Sequence, residues 1–468
     1  MLDLKSKNAN SQTLYNFLST VIRSGIAFIT MPLFTRLLGA EQFGKYSVYT
    51  SWLSIIVCFM GCNVASSIGT GFYKFRNNYY KFKTSILVEG TVISIAIFVI
   101  CLIFSERVSS MIGYPVIIFI LMLVEAVAHF VVNFASGSWV YEKKALYNML
   151  LSLEILVFTT LLSIVLLVVF SDKLPELYYS RVIGSVIPHI LTAIVIWIIF
   201  FKHQPYGFNH VYWKYSLLFG LPMIFHTLSG QVLGQSDRVM MEKMGILPTD
   251  IGIYSFFYSF VALLSTIMNA LNNSWSPFFY DGLYNKDYDK LNRNIKNYVH
   301  LFVTLVCGFL LLANEVVKVF ANDEYWKGMP LVPILVLVIY FTYIYQFAVN
   351  YEFFNSKPRI IAIGTGGAAL ANVILNIILI PECGMYGAAM ATLISYVLLA
   401  CFHLLIVKTW KLERYPLKLK PLFIGLLAVI IFSGAYYFFE DYWILRWGIG
   451  IMLGAFEIFR IWKRKTIF

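Results

Sequence analysis

Long, continuous runs of apolar residues recur from one end of the chain to the other, and they limit it to one class of fold. A helix that crosses a bilayer needs roughly 20 mostly apolar residues. Only 13% of the 468 residues are charged, whereas soluble domains are about 25% charged. The sequence therefore predicts an all-α polytopic membrane protein, because the strands of a membrane barrel would alternate polar and apolar residues instead.

We place about fourteen transmembrane helices in these runs. The segments between them are short, so we expect no domain outside the membrane. The predicted spans are 11–38, 46–71, 84–104, 115–138, 146–170, 178–201, 214–234, 251–273, 297–317, 331–353, 358–380, 384–407, 419–438 and 442–462.

The basic residues predict the orientation of the spans. If the N-terminus lies inside, 25 of the 36 Lys and Arg residues fall on inner segments and 10 on outer ones. Positively charged loops stay in the cytoplasm, so both termini are predicted to be cytoplasmic. The same bias accounts for the net charge of +12 without a nucleic-acid partner.

An internal repeat divides the chain. Gly44-Lys-Tyr-Ser-Val-Tyr-Thr-Ser51 is similar to Gly252-Ile-Tyr-Ser-Phe-Phe-Tyr-Ser259, six predicted spans later. An even offset gives both halves the same orientation, so they would be parallel repeats related by a pseudo-twofold axis along the membrane normal. We predict two six-helix lobes, 1–201 and 214–407, and two accessory spans in 408–468. In transporters built this way, the substrate binds between the repeats.

Arg23 is a cation well inside the first predicted span. A guanidinium at that depth costs about 3 kcal/mol on insertion scales, and such residues mark transport pathways by default. Its planar fork suits phosphate oxygens. We therefore predict that Arg23 binds an anionic substrate, and the alternative is a structural arginine that reaches the interface or pairs with a carboxylate.

Acidic residues inside the spans are candidates for ion coupling. Glu125 and Glu154 lie deepest, and His129 lies four residues after Glu125, on the same helix face. We predict that these three couple transport to protons or sodium ions. The alternative is a neutral carboxyl group that is hydrogen-bonded to His129 or to a neighbouring helix. The other acidic residues lie near span ends, where they can reach the headgroups: Glu89, Glu315, Glu352 and Glu457.

At this point the sequence resembles the polysaccharide-transport flippases of the multidrug/oligosaccharidyl-lipid/polysaccharide exporter superfamily, over nearly the whole chain. Each motif is weak alone, but their order is fairly specific. The motifs are Pro32–Gly39 running into Gly44–Ser47, Gly220-Leu-Pro222 followed by Ser236-Asp-Arg238 and Gly252–Ser255, Asn372 and Asn376 leading to Ile380-Pro381, and Gly384–Thr392.

The resemblance implies a flippase of the bacterial inner membrane and not an enzyme. Its substrate would be an undecaprenyl-pyrophosphate-linked oligosaccharide, such as an O-antigen unit for lipopolysaccharide, moved to the outer leaflet by alternating access. Arg23 would then bind the pyrophosphate. The implied partners are the lipid-linked oligosaccharide, membrane lipids and the polysaccharide polymerase machinery. We expect no cofactor, and the six cysteines show no metal or redox spacing.

Further polar residues could contact the substrate or control access to it. The candidates for sugar contact could equally be packing residues or links between helices, each worth about 0.6 kcal/mol. Of the candidates for gating, Asp237 and Arg238 could equally be a local ion pair or helix-end charges at the interface, and Arg36 a plain interfacial cation. The first group is His226, Gln231, Asn269, Asn272 and Asn273, with His189 read as a packing residue, and the gating group is Arg36, Asp237 and Arg238.

Two other functions remain open. A drug or cation antiporter of the same superfamily would share the lobes, but typically has twelve spans and an acidic cavity. A membrane polysaccharide polymerase would typically carry a long outer loop or a paired-acid site at the membrane surface. The sequence has no long outer loop, and Asp323-Glu324 and Glu440-Asp441 are adjacent acids in short outer loops.

Overall fold

The computed structural model describes residues 9–203, 205–409 and 417–464, except the side chains of residues 9–24 and 27. The described part is built from helices and contains no strand, as predicted. The α-helices are α1 (Ala9–Val57), α2 (Ile68–Lys74), α3 (Tyr79–Ile103), α4 (Ser105–Ile112), α5 (Val116–Tyr141), α6 (Ala145–Val169), α7 (Tyr178–His203), α8 (His210–Lys243), α9 (Pro248–Tyr284), α10 (Tyr288–Phe320), α11 (Leu331–Phe354), α12 (Pro358–Thr409), α13 (Lys420–Phe438) and α14 (Trp443–Arg464).

The chain forms two compact units, Met1–Val239 and Met240–Phe468. The boundary falls inside α8, so most of that helix belongs to the first unit. The residue limits that we predicted for the two lobes and the accessory spans stay a prediction.

In the first unit, α5 is the central helix. It packs against α1, α3 and α7, and α6 packs against α1 and α7. Large apolar side chains fill the spaces between these helices, including Phe82, Phe119 and Phe134, each at most 1% exposed. Close packing around α5 fixes the positions of the few polar side chains that it carries.

In the second unit, α11 packs against α9 and α12, and α10 packs against α13 and α14. Aromatic rings join these helices. The ring of Tyr343 stacks on Phe302 with centroids 4.2 Å apart and meets Tyr298 edge-on at 5.2 Å. Trp275 on α9 lies 5.3 Å from Tyr298, so one aromatic cluster connects α9, α10 and α11.

Two glycines break helices that would otherwise be too long for one crossing. The 52 residues of α12 would span about 78 Å if straight, against a hydrocarbon core of about 30 Å. Gly384 has φ 54° and ψ −130°, and Gly39 interrupts α1 with φ 71° and ψ 169°. Glycine adopts a positive φ at no steric cost, which allows the helix to break at these two residues. Each break lies at the boundary between two predicted spans.

The second predicted span, 46–71, differs from the structure. The α-helix ends at Val57, and a 3-10 segment covers Met60–Ser67, bent by 61° from the preceding helix. Gly61, Cys62 and Asn63 all have positive φ. A Cβ on Gly61 would lie 2.5 Å from the Phe130 ring. An apolar run reports burial in lipid or protein, but not the backbone angles within it, so this bend was not predictable from hydropathy.

Among the described residues, ten helices are long and apolar enough to cross a membrane, or eleven if the bent pair counts as one span. The remaining difference from fourteen has physical causes. The breaks at Gly39 and Gly384 divide single long helices, and α14 carries several charges. The other predicted spans each coincide with a described helix, for example 331–353 with Leu331–Phe354.

Candidate functional site

A carboxylate lies fully buried in the first unit, in the middle of α5. Glu125 is 1% exposed, and each of its carboxylate oxygens accepts a hydrogen bond. The hydroxyl of Tyr49, on α1, donates to Oε2 at 2.6 Å, and the hydroxyl of Ser185, on α7, donates to Oε1. Three helices therefore meet at this carboxylate, and the two bonds offset part of the cost of burying it.

Two imidazole rings lie beside the same carboxylate. His129 lies one turn further along α5, with Nε2 3.8 Å from Glu125 Oε1. His189, on α7, places Nδ1 3.7 Å from that oxygen and 2.8 Å from the backbone carbonyl oxygen of Ser185. The two ring centroids are 4.2 Å apart. We call Glu125, His129 and His189 the His–Glu cluster.

The structure brings together two of the three residues predicted to couple transport to an ion. Glu125 and His129 share the His–Glu cluster, as their spacing of four residues predicted. Glu154, on α6, has a different partner, because the hydroxyl of Thr192 on α7 lies 3.0 Å from both of its carboxylate oxygens. The coupling role of all three stays a prediction.

In the second unit, amide side chains connect α9 to α11. Gln346 Nε2 donates to Asn269 Oδ1 at 3.3 Å, and Asn350 Nδ2 donates to Asn272 Oδ1 at 3.0 Å. Asn269 and Asn273 are exposed, and Asn272 is partly so. These amides therefore link helices and also keep polar atoms accessible, which leaves the predicted contact with sugar hydroxyls open.

The predicted residues on α8 differ in exposure. His226 is exposed and Gln231 is half-buried. Asp237 and Arg238 are 0% and 5% exposed, and the Arg238 guanidinium donates to Gln235 Oε1 at 3.3 Å. Both side chains are thus buried and not exposed at an interface, which leaves a local ion pair as the alternative to gating, and the gating role stays a prediction.

Of the two candidate arginines on α1, the structure describes the side chain of one. Arg36 is exposed, at the end of the first predicted span. The side chain of Arg23 lies outside the described residues, so its predicted contact with a pyrophosphate stays a prediction.

Sequence comparison identifies the family. Residues 10–282, which include the His–Glu cluster and the predicted substrate residues, match the family model described as polysaccharide biosynthesis protein. The chain belongs to this family. Two relatives from Haemophilus influenzae are similar over most of their length. One, named Lsg locus putative protein 1, is 24% identical over 72% of this chain and 82% of its own. The other, an uncharacterized membrane protein, is 21% identical over 78% and 90%.

Solved structures place this polysaccharide biosynthesis family member in a known fold. The chain resembles the inward closed conformation of the lipid II flippase MurJ with a TM-score of 0.73, at 16% identity, over 97% of this chain and 99% of that one. An inward-facing multidrug resistance MATE transporter of the MOP superfamily matches with a TM-score of 0.60, at 16% identity, over 91% and 95%. The protein therefore has the two-lobed, multi-pass membrane fold of the MurJ and MATE transporters.

Several polar residues of this family member were missed by sequence reasoning. Tyr49 and Ser185 contact Glu125 from 76 and 60 residues away, so only the fold brings them together. Gln346 and Asn350 carried a weak signal, since two amides four residues apart in an apolar run share a helix face.

Proposed function

We propose that this chain is a flippase that moves a lipid-linked oligosaccharide from the inner to the outer leaflet of the bacterial inner membrane. Membership of the polysaccharide biosynthesis family, over residues 10–282, carries this proposal. It favours a glycan substrate over the drug or cation of an antiporter, although the fold is common to both kinds of transporter. An undecaprenyl-pyrophosphate carrier, both termini in the cytoplasm and neighbouring polymerase machinery belong to the same proposal.

The position of accumulated substrate tests the proposal. Deleting the gene is expected to build up lipid-linked repeat units on the cytoplasmic side, where an impermeant glycan-modifying probe added outside cannot reach them until the cells are opened. A missing polymerase would instead leave single units outside, within reach of the probe. Units that the probe reaches in intact deletion cells would contradict a flippase.

The Arg23→Ala variant is expected to be inserted at normal levels and to fail to complement the deletion. Removing the guanidinium removes the fixed charge that we assign to the pyrophosphate. Arg23→Lys keeps a charge but loses the planar fork, so it should restore only part of the activity. Arg107→Ala is the matched control, because Arg107 is exposed on α4. Full complementation by Arg23→Ala at matched protein level would exclude the assignment.

We also propose that an ion gradient, of protons or of sodium, drives transport. Collapsing the gradient of the coupling ion in inverted vesicles is expected to stop the appearance of labelled substrate in the opposite leaflet. Collapsing the other gradient should have little effect. Undiminished movement with both gradients collapsed would show that transport is not coupled to either ion.

A further inference from the structure

The His–Glu cluster has the ligand set of a transition-metal site. Glu125, His129 and His189 each offer one ligand atom, and these three atoms lie within 4.8 Å of one another. We propose that the cluster binds one divalent transition metal ion of the Zn²⁺ class, which joins α5 to α7 inside the first unit. Two imidazoles and one carboxylate form a His₂Glu set that zinc uses in proteins, with one position open to a fourth ligand.

The distances in the cluster suit an ion better than direct hydrogen bonds. Glu125 Oε1 lies 3.8 Å from His129 Nε2 and 3.7 Å from His189 Nδ1, and both distances are too long for a hydrogen bond. Ligands at about 2.0–2.1 Å from a tetrahedral zinc ion lie about 3.3 Å apart. Glu125 Oε1 and His129 Nε2 are therefore within a small side-chain movement of that spacing, and one ligand atom of His189 lies within 4.8 Å of both residues' ligand atoms.

The groups around the cluster orient it as outer groups do at metal sites. Tyr49 holds one carboxylate oxygen of Glu125 at 2.6 Å, and the Ser185 hydroxyl holds the other. The Ser185 carbonyl lies 2.8 Å from His189 Nδ1 and accepts its hydrogen bond, so the ring is fixed with Nε2 as the nitrogen that would bind the ion. Carbonyl, hydroxyl and carboxylate partners of this kind are what position ligands around a bound metal.

The burial of the His–Glu cluster favours the binding of a cation. Glu125 is 1% exposed and His189 is 8% exposed, so water screens their charges poorly. A divalent cation would compensate the buried carboxylate more fully than two hydroxyl donors do. Cysteine spacing gave no sign of this site, because none of its ligands is a cysteine. The proposal concerns the first unit alone and does not depend on the flippase function.

Metal titration of the purified full chain tests the proposal. The protein is prepared without a polyhistidine tag, stripped with a chelator and titrated with Co²⁺, then with Zn²⁺ in competition with a fluorescent chelator. We expect one ion per chain, with visible cobalt bands typical of a four-coordinate site that disappear when Zn²⁺ is added. A wild-type chain that takes up no stoichiometric metal would overturn the proposal.

Substitutions locate the bound ion. Glu125→Gln and His129→Gln are expected to weaken binding by at least about 100-fold, and Tyr49→Phe, which keeps all three ligands, by about 10-fold. His300→Gln is the matched control, because His300 also lies beside a carboxylate, 2.7 Å from Glu457, but outside the cluster. If the buried Glu125 variant fails to fold, the His129→Gln variant still tests the proposal, because the His129 side chain is 26% exposed and its replacement disturbs the packing less. Equal binding by His129→Gln and wild type would overturn the proposal.

Discussion

The His403→Leu substitution is expected to destabilise the second unit by about 3–5 kcal/mol, because it leaves a carboxylate buried without its partner. His403 and Glu352 are both 0% exposed, and they connect α12 to α11. Nδ1 of the imidazole lies 2.8 Å and 2.9 Å from the two carboxylate oxygens of Glu352. In the described part of the chain, Nε2 of His403 has no hydrogen-bond partner. The ring therefore holds Glu352 through one nitrogen, and removing the ring removes both of these contacts to the buried carboxylate.

Two further variants separate the pair from general packing. Glu352→Gln keeps a polar partner for the ring, so we expect a smaller loss, about 1 kcal/mol. The double variant Glu352→Leu/His403→Leu replaces both partners with apolar side chains, and such replacements of buried pairs are often neutral or stabilising. The free energy of unfolding, followed by denaturant titration in detergent micelles, should therefore recover in the double variant. A double variant as unstable as His403→Leu would assign the loss to packing and not to the pair.

The fold was largely predictable because a membrane helix must satisfy its own backbone hydrogen bonds. Apolar runs of bilayer length therefore have few alternatives to helix, and span 331–353 coincides closely with α11 (Leu331–Phe354). The same reasoning could not place the 3-10 segment Met60–Ser67. That segment depends on side chains distant in sequence, such as Thr227, which accepts a hydrogen bond from Asn63 at 3.0 Å.

The polar pairs were less predictable than the helices. Glu125 and His129 lie four residues apart on one helix, so helix geometry alone brings them together. The interpretation of Glu89 and Glu352 as headgroup contacts was wrong, because both are 0% exposed. Their partners are distant in sequence: Ser216 bonds Glu89, and His403 bonds Glu352 from 51 residues away. Distance along the sequence from a span end does not reveal what a side chain meets inside the protein.

Arg446 is the second site where a large loss of stability is expected. Its side chain is 2% exposed, and its guanidinium connects α14 to α10. It donates to the backbone carbonyl of Leu311 at 3.0 Å and to that of Glu440 at 2.9 Å. It also forms a two-pronged pair with the carboxylate of Glu315, one prong at 3.1 Å. Both terminal nitrogens of the planar guanidinium therefore donate hydrogen bonds, and lysine cannot reproduce this arrangement.

The Arg446→Gln substitution is expected to cost about 3 kcal/mol and to loosen α14 from α10. Of the hydrogen bonds that the carboxylate of Glu315 makes in the described part of the chain, the one donated by the Trp447 indole nitrogen, at 3.1 Å, would remain. Arg446→Lys should give an intermediate loss of stability.

A cysteine at Gly450 reports the loosening, because a Cβ there would lie 3.8 Å from Leu311, an ordinary contact that folding should shield. In a background without native cysteines, its rate of alkylation should rise in Arg446→Gln. It should stay unchanged in the control Arg464→Ala, which removes an exposed hydrogen bond to Asn297. Equal alkylation rates in all three proteins would show that α14 is held by its apolar contacts alone.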